Sequence, residues 1–438
     1  ALAAAGTAAR DAGRHGAPDA GRHGAPDAAA RHAGGSPNRA VHGERALVPA
    51  TADRVEAAQR LLDARAAAVL HHDAARLVAG VDPGQPELVA GQRRLAGALA
   101  GVPLASWRYV VDPISPAPLP AARQRALGPS AWLAEVTLHY ALRGFDPRPT
   151  TERLYYTFAR RGGGWWLAGD ADGSAAHLHA ARELWDFGPV VAVTGARSLV
   201  LGHPAGRDRL ATVAAEADRD VPRVTSFWGR RGWSDRVVVL VPADDRELES
   251  LVGGQDLSQI AAVATFQGDA GPGDALPGGD RVIVNPSDYA DLGRLGRRVV
   301  LTHEIIHVAT RPVSGPGLPE WLVEGFADYV GFRGTGIAVR AAASELAAGR
   351  LPERLPTDRA FDGSAPHLAV AYEKAWLACR YVARRWGERA LISLYRSVGT
   401  SREPDEGTAL RAGLAGVLHV TLPDLTAGWR AYLRAELR

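Results

Sequence analysis

Two histidines four residues apart, with a glutamate between them, stand at His303, Glu304 and His307. That spacing constrains the local fold, because residues i and i+4 share one face of a helix and sit one turn apart. On a helix both imidazoles can grip one metal ion. Glu304, rotated by about 100° from His303, then stands beside the ion, where its carboxylate reaches a bound water instead of ligating. The segment Asp291 to Arg311 reads as that helix. The pattern supplies a ligand pair plus a base.

A catalytic zinc usually takes three protein ligands and keeps a fourth position for water, so another ligand must come from elsewhere in the chain. The run Trp321-Leu322-Val323-Glu324-Gly325-Phe326-Ala327-Asp328-Tyr329 follows a turn-rich link, Arg311 to Gly317. Pro319 suits the first turn of a helix, and no proline interrupts Trp321 to Phe332. Glu324 is the best candidate for the third ligand. Asp328, one turn further, shares its face and can accept the free ring N–H of His303, the usual outer contact that fixes a ligand's tautomer. Zn2+ is the expected cofactor.

The two motifs resemble those of the gluzincin metallopeptidases, whose second motif, WLxEGxA in the aminopeptidase-N-type branch, carries the glutamate ligand. A third stretch agrees: Ala371-Tyr372-Glu373-Lys374-Ala375 looks like the YEKG segment of that branch, in which the tyrosine hydroxyl stabilises the tetrahedral intermediate. The resemblance covers roughly residues 190 to 438 and is strongest from 299 to 387. It implies metal binding by His303, His307 and Glu324, base chemistry by Glu304 and oxyanion stabilisation by Tyr372. The implied activity is zinc-dependent hydrolysis of peptide bonds in a peptide or protein substrate.

Two departures refine that expectation. Sixteen residues separate His307 from Glu324, fewer than is usual in the aminopeptidases, so the link is tighter. The GAMEN-type segment that anchors a free amine is also missing. The candidate edge strand, Ile260 to Gly268, carries no acidic residue. The closer likeness is to the compact peptidase-MA-like branch, and the expected activity is that of an endopeptidase that pairs an extended peptide with this edge.

The remainder of the chain reads as α+β. Residues 1–48 repeat Asp11-Ala12-Gly13-Arg14-His15-Gly16-Ala17-Pro18 at Asp19 to Pro26, a unit too short for a solenoid and with almost nothing to bury. A disordered low-complexity tether is expected there, with His15, His23, His32 and His42 incidental. Residues 49–187 form a first module. Val55, Ala58, Leu62 and Val69 give a helical stripe, and Val136, Leu138, Tyr140 and Leu142 alternate with polar residues as one buried strand face. Thr151 to Arg160 and Trp165 to Gly169 read as a hairpin across a glycine-rich turn. Helices followed by long curved antiparallel strands resemble the NTF2-like cone fold in element order. Residues 188–438 form the expected gluzincin lobe, with a mixed sheet over the metal-site helix and a mostly helical C-terminal half.

Composition excludes several classes. Net charge is +3, Lys374 is the one lysine, and no arginine cluster interleaves with aromatics, so no nucleic-acid partner is expected. No run of 18 apolar residues exists to span a membrane. The single cysteine, Cys379, excludes an internal disulfide or a cysteine-based zinc site and reads as a small buried hydrophobe. Methionine is absent even at position 1, which fits a trimmed product. The tether suits a protein exported or anchored upstream of residue 1 and therefore extracellular, with cytoplasmic residence as the alternative. The competing functional reading is a non-catalytic ligand-binding or sensor protein that retains a peptidase scaffold.

Overall fold

The computed structural model describes residues 48–49, 51–230, 232–253, 261–266, 279–403 and 405–438. The tether expected at 1–48, with its four histidines, lies outside the described residues apart from Val48. So do Ile260, Gln267 and Gly268 of the expected edge strand.

The first module begins with three helices, α1 (Ala52–Leu70), α2 (Ala74–Ala79) and α3 (Pro86–Leu99). Ala58, Leu62 and Val69 of α1 are buried, as the helical spacing requires. Four strands follow, β1 (Leu104–Val111), β2 (Trp132–Leu142), β3 (Thr150–Arg161) and β4 (Gly164–Gly169), with a short helix α4 (Ala121–Leu127) between the first two. They pair in sequence order as an antiparallel meander. The alternation in β2 puts Val136, Leu138, Tyr140 and Leu142 into the core beneath α1.

The second part is built on a five-stranded mixed sheet. In chain order its elements are β5 (Val191–Thr194), β6 (Ser198–Gly202), helix α5 (Arg207–Trp228), β7 (Val237–Val241), helix α6 (Asp245–Leu251), β8 (Ala262–Phe266) and β9 (Asp280–Val284). The order across the sheet is β8-β9-β7-β6-β5, so β8 is an outer strand. It runs antiparallel to β9, whereas β9, β7 and β6 are mutually parallel. Helix α5 continues unbroken through Pro222. Leu210, Val213, Ala214, Ala217, Val221, Val224 and Phe227 form one buried stripe, and that burial outweighs the hydrogen bond a proline removes.

The sheet is covered on both faces, which explains why its strands are continuous apolar runs without alternation. Val200, Val239 and Val282 form one row across the sheet and face the C-terminal helices. Leu201, Leu240 and Ile283, the next row, face the core of the first module. The two parts therefore share apolar packing through this sheet. A buried ion pair fastens the same contact: the Arg281 guanidinium on β9 donates to both oxygens of Asp146 at 2.7 and 2.8 Å, and to Thr150 Oγ1 at 3.1 Å. Their side chains are 1% and 3% exposed.

The remaining helices that shape the site are α7 (Pro286–Asp291), α8 (Arg294–Thr310), α9 (Glu320–Phe332) and α10 (Leu368–Trp386); α11 (Glu388–Gly399), α12 (Glu406–Gly413) and α13 (Leu422–Leu437) close the far side. Helix α8 starts after Gly293, three residues later than the sequence reading, because Asn285 and Pro286 set up the separate short helix α7. No described helix is long and apolar enough to cross a membrane. Removing one partner of a buried pair strands the other's charge, so Asp146→Ala is expected to lower unfolding free energy by about 3–5 kcal/mol. Urea unfolding measures this, and a loss below about 1 kcal/mol contradicts the fastening role.

Candidate metal centre

The two imidazoles come from α8 and the third donor from α9, and the helices reach each other through glycine. A Cβ on Gly331 of α9 would lie 2.9 Å from the Val299 carbonyl oxygen of α8. On the opposite side, a Cβ on Gly325 would lie 2.2 Å from the Ala375 carbonyl oxygen of α10, far inside contact distance. The approach that glycine permits brings α8, α9 and α10 into one layer, with His303, Glu324 and Tyr372 facing a common point.

His303 Nε2 lies 3.0 Å from His307 Nε2 and 3.1 Å from Glu324 Oε2, and His307 Nε2 is 3.6 Å from Glu324 Oε1. Tetrahedral zinc with bonds of about 2.0–2.1 Å separates neighbouring donors by about 3.3 Å. The triangle fits. These three residues are also the group among the described residues whose donor atoms converge tightly enough to hold an ion.

Electrostatics agree with the geometry. Asp328 Oδ1 lies 2.9 Å from His303 Nδ1, so Nδ1–H donates to the carboxylate and a neutral His303 presents only a lone pair at Nε2. That lone pair faces a second imidazole and a carboxylate, an arrangement that is favourable only with a proton or a cation between them. Burial opposes a charge on His303, but the Asp328 hydrogen bond and charge, joined by Glu324 and Glu304, hold its pKa well above the usual imidazole range. Burial likewise resists ionisation of Glu324, yet the two histidines hold its pKa well below the usual carboxylate range. The site is set for positive charge.

Glu304 is buried, and its Oε2 accepts the backbone N–H of Ala264 at 2.7 Å. Ala264 lies on β8, the outer strand, so a backbone donor that the sheet leaves unused fixes the carboxylate. Burial pushes the Glu304 pKa up to about 7 against the pull of His303 and His307. Tyr372 is buried at the cleft wall, its ring 6.3 Å from that of His303. Burial, then the charges of Glu324, Asp328 and Glu304, push its hydroxyl pKa well above the phenol range, so it stays protonated. The adjacent Glu373 turns away and accepts the N–H groups of Glu345 and Leu346 at 3.2 and 2.8 Å. Cys379 is buried.

These side chains line a cleft of about 230 Å³. The cleft gathers His303, Glu304, His307, Glu324 and Tyr372, and Asp328 stands behind His303. Its polar lining also includes two residues to which sequence reasoning gave no part in the site, Arg311 and Ser314. Arg311 follows His307 by four residues, so the helical spacing that paired the histidines also pointed to it. Ser314 lies in the link and gave no such signal.

No family model and no curated protein matches the chain. Among solved structures, it overlaps a point mutant of the M1 zinc metallopeptidase from Deinococcus radiodurans bound to a Tyr-Ser-Ala substrate, at 15% identity and TM-score 0.34. Another structure of that mutant gives 16% identity and TM-score 0.33. A two-domain M1 zinc metallopeptidase bound to L-arginine gives 15% and 0.34. The overlap covers 75% of this chain and 63–64% of those chains, and at this looseness it bears no functional weight.

In the metal-free protein the raised His303 pKa adds stability at low pH that is lost as pH rises through it. Zinc must displace that proton. The increase in melting temperature on zinc saturation is therefore expected to grow from about pH 5 to about pH 8, and an increment that is flat across this range contradicts the assignment. Asp328→Asn is expected to weaken zinc binding by about 10-fold to 100-fold, measured by competition with a chromogenic chelator. Unchanged affinity would remove Asp328 from the site.

Proposed function

We propose that this chain is a zinc-dependent peptidase of the gluzincin type that cuts internal bonds of peptide or protein substrates. The observation that supports it best is the convergence of His303, His307 and Glu324 within 3.6 Å beside a buried glutamate on the same helix. A zinc ion held by those three residues would acidify a water and polarise a carbonyl.

Glu304 is the general base. Its carboxyl, with a pKa near neutrality, takes a proton from the attacking water and returns it to the leaving amine. The Ala264 N–H contact holds the carboxylate in place without consuming its second oxygen. Tyr372 keeps its proton and donates a hydrogen bond to the substrate oxygen as negative charge collects there. Asp328 acts through His303 as a positioning residue, fixing which ring nitrogen faces the cleft. The endopeptidase preference rests on the strand Ala262–Phe266, which offers backbone groups to an extended peptide and has no acidic side chain to anchor a free amine.

Glu304→Gln is expected to retain zinc and to lose cleavage of a casein or mixed peptide substrate, while Tyr372→Phe retains zinc and turns over about 100-fold more slowly. Zinc-loaded parent protein with no Glu304-dependent cleavage of any peptide library would replace this reading with the non-catalytic binding protein. Full activity in Tyr372→Phe would remove that residue's role alone.

A further inference from the structure

Among the described residues, the Tyr372 hydroxyl has no hydrogen-bond partner, so its direction depends on what packs against the ring. A tyrosine turns about two side-chain bonds, the second with a broad preference, and a loosely packed ring would spread over several directions. Two aromatic contacts bear on it. The His303 ring lies on the metal side, 6.3 Å away at an interplanar angle of 53°. Phe361 stands 5.4 Å away at 85°, the edge-to-face arrangement that aromatic pairs favour. Phe361 is half-buried and is not among the residues that line the cleft. It ends a single 3-10 turn, Asp358–Phe361, in the connection that precedes α10. The other end of that turn is moored to the metal-site helix α9, where Asp358 Oδ1 accepts the backbone N–H of Glu320 at 3.1 Å. Glu320 opens α9, and Pro319 before it has no side-chain acceptor to offer. Asp358 therefore satisfies an N-terminal donor that the helix itself leaves open.

We propose that Phe361 is a positioning residue for Tyr372: its ring sets where the hydroxyl points, and the mooring at Asp358 fixes Phe361 relative to Glu324, one turn beyond Glu320 on α9. A donor helps only where charge develops, and a misplacement of about 1 Å can cost about 100-fold in rate. The inference rests on the peptidase reading for what the hydroxyl does, and adds to that reading a residue outside every sequence motif of the site.

Steady-state kinetics of Phe361→Ala and of the double variant Phe361→Ala/Tyr372→Phe test this. Phe361→Ala is expected to keep its zinc and to lower kcat by about 10-fold or more while KM stays within about twofold. Once the tyrosine hydroxyl is gone, a residue that acts through it has nothing left to position. The double variant is therefore expected to turn over as fast as Tyr372→Phe alone, whereas a merely structural loss multiplies with it. Unchanged kcat in Phe361→Ala, or losses that multiply, overturns the proposal. Should Phe361→Ala fold poorly, Phe361→Leu removes the ring but keeps apolar volume, and Phe361→Tyr keeps the ring. A kcat lowered by about threefold or more in Phe361→Leu and restored in Phe361→Tyr supports the edge-on contact, and equal kcat in the two overturns it. A crystallographic comparison separates the two levels, because it needs no turnover. In zinc-loaded Phe361→Ala the Tyr372 hydroxyl is expected to be displaced by about 1 Å or more, or divided between rotamers; an unmoved hydroxyl overturns the role of Phe361 and leaves the peptidase reading standing. Absence of Glu304-dependent cleavage in the parent sinks the peptidase reading, and the displacement alone then decides whether Phe361 holds the tyrosine.

Discussion

Two helices can set a carboxylate about 3 Å from a pair of imidazoles only if their backbones nearly touch. Gly331 allows this against Val299, and Gly325 allows α10 to approach from the other side, where any Cβ would collide with the Ala375 carbonyl. Without that approach Glu324 withdraws from the histidines and Tyr372 leaves the cleft wall. Close-packed interiors transmit such shifts because they contain few voids to absorb them. The donor triangle is thus a product of backbone contact as much as of ligand chemistry.

The first module belongs to the same mechanical unit. Its core closes on one face of the five-stranded sheet, and the Arg281–Asp146 pair pins it to β9. Strand β9 pairs with β8, and β8 supplies the Ala264 N–H that holds Glu304. A continuous covalent and hydrogen-bonded path therefore runs from the module to the base. Positioning the base from a sheet edge gives a rigid support, which a catalytic group needs, and Ala262 and Val263 of the same strand also line the cleft.

Much of the site was legible because helical spacing is a strong signal. His303, Glu304 and His307 share one turn, and Glu324 and Asp328 share the next helix, so pairing two faces predicted which side chains meet. Arg311 obeyed the same rule and was overlooked because it lay at the end of the motif. The strands were legible for a different reason. Val237 to Val241 is apolar without alternation, which implies burial on both faces, although no sequence pattern says that one cover comes from a module more than a hundred residues upstream. Pairs such as Arg281 with Asp146 and Ala264 with Glu304 are long-range contacts that leave no local trace. Pro222 would by itself suggest a break in α5, but the apolar stripe on either side of it carries the helix through.

X-ray absorption spectroscopy of the zinc-loaded protein tests the central claim most directly. Two imidazole nitrogens at about 2.0–2.1 Å, one or more oxygens and no sulfur are the predicted shell, with one imidazole signature lost in each of His303→Ala and His307→Ala. An all-oxygen shell, or a single imidazole that survives both substitutions, would contradict it.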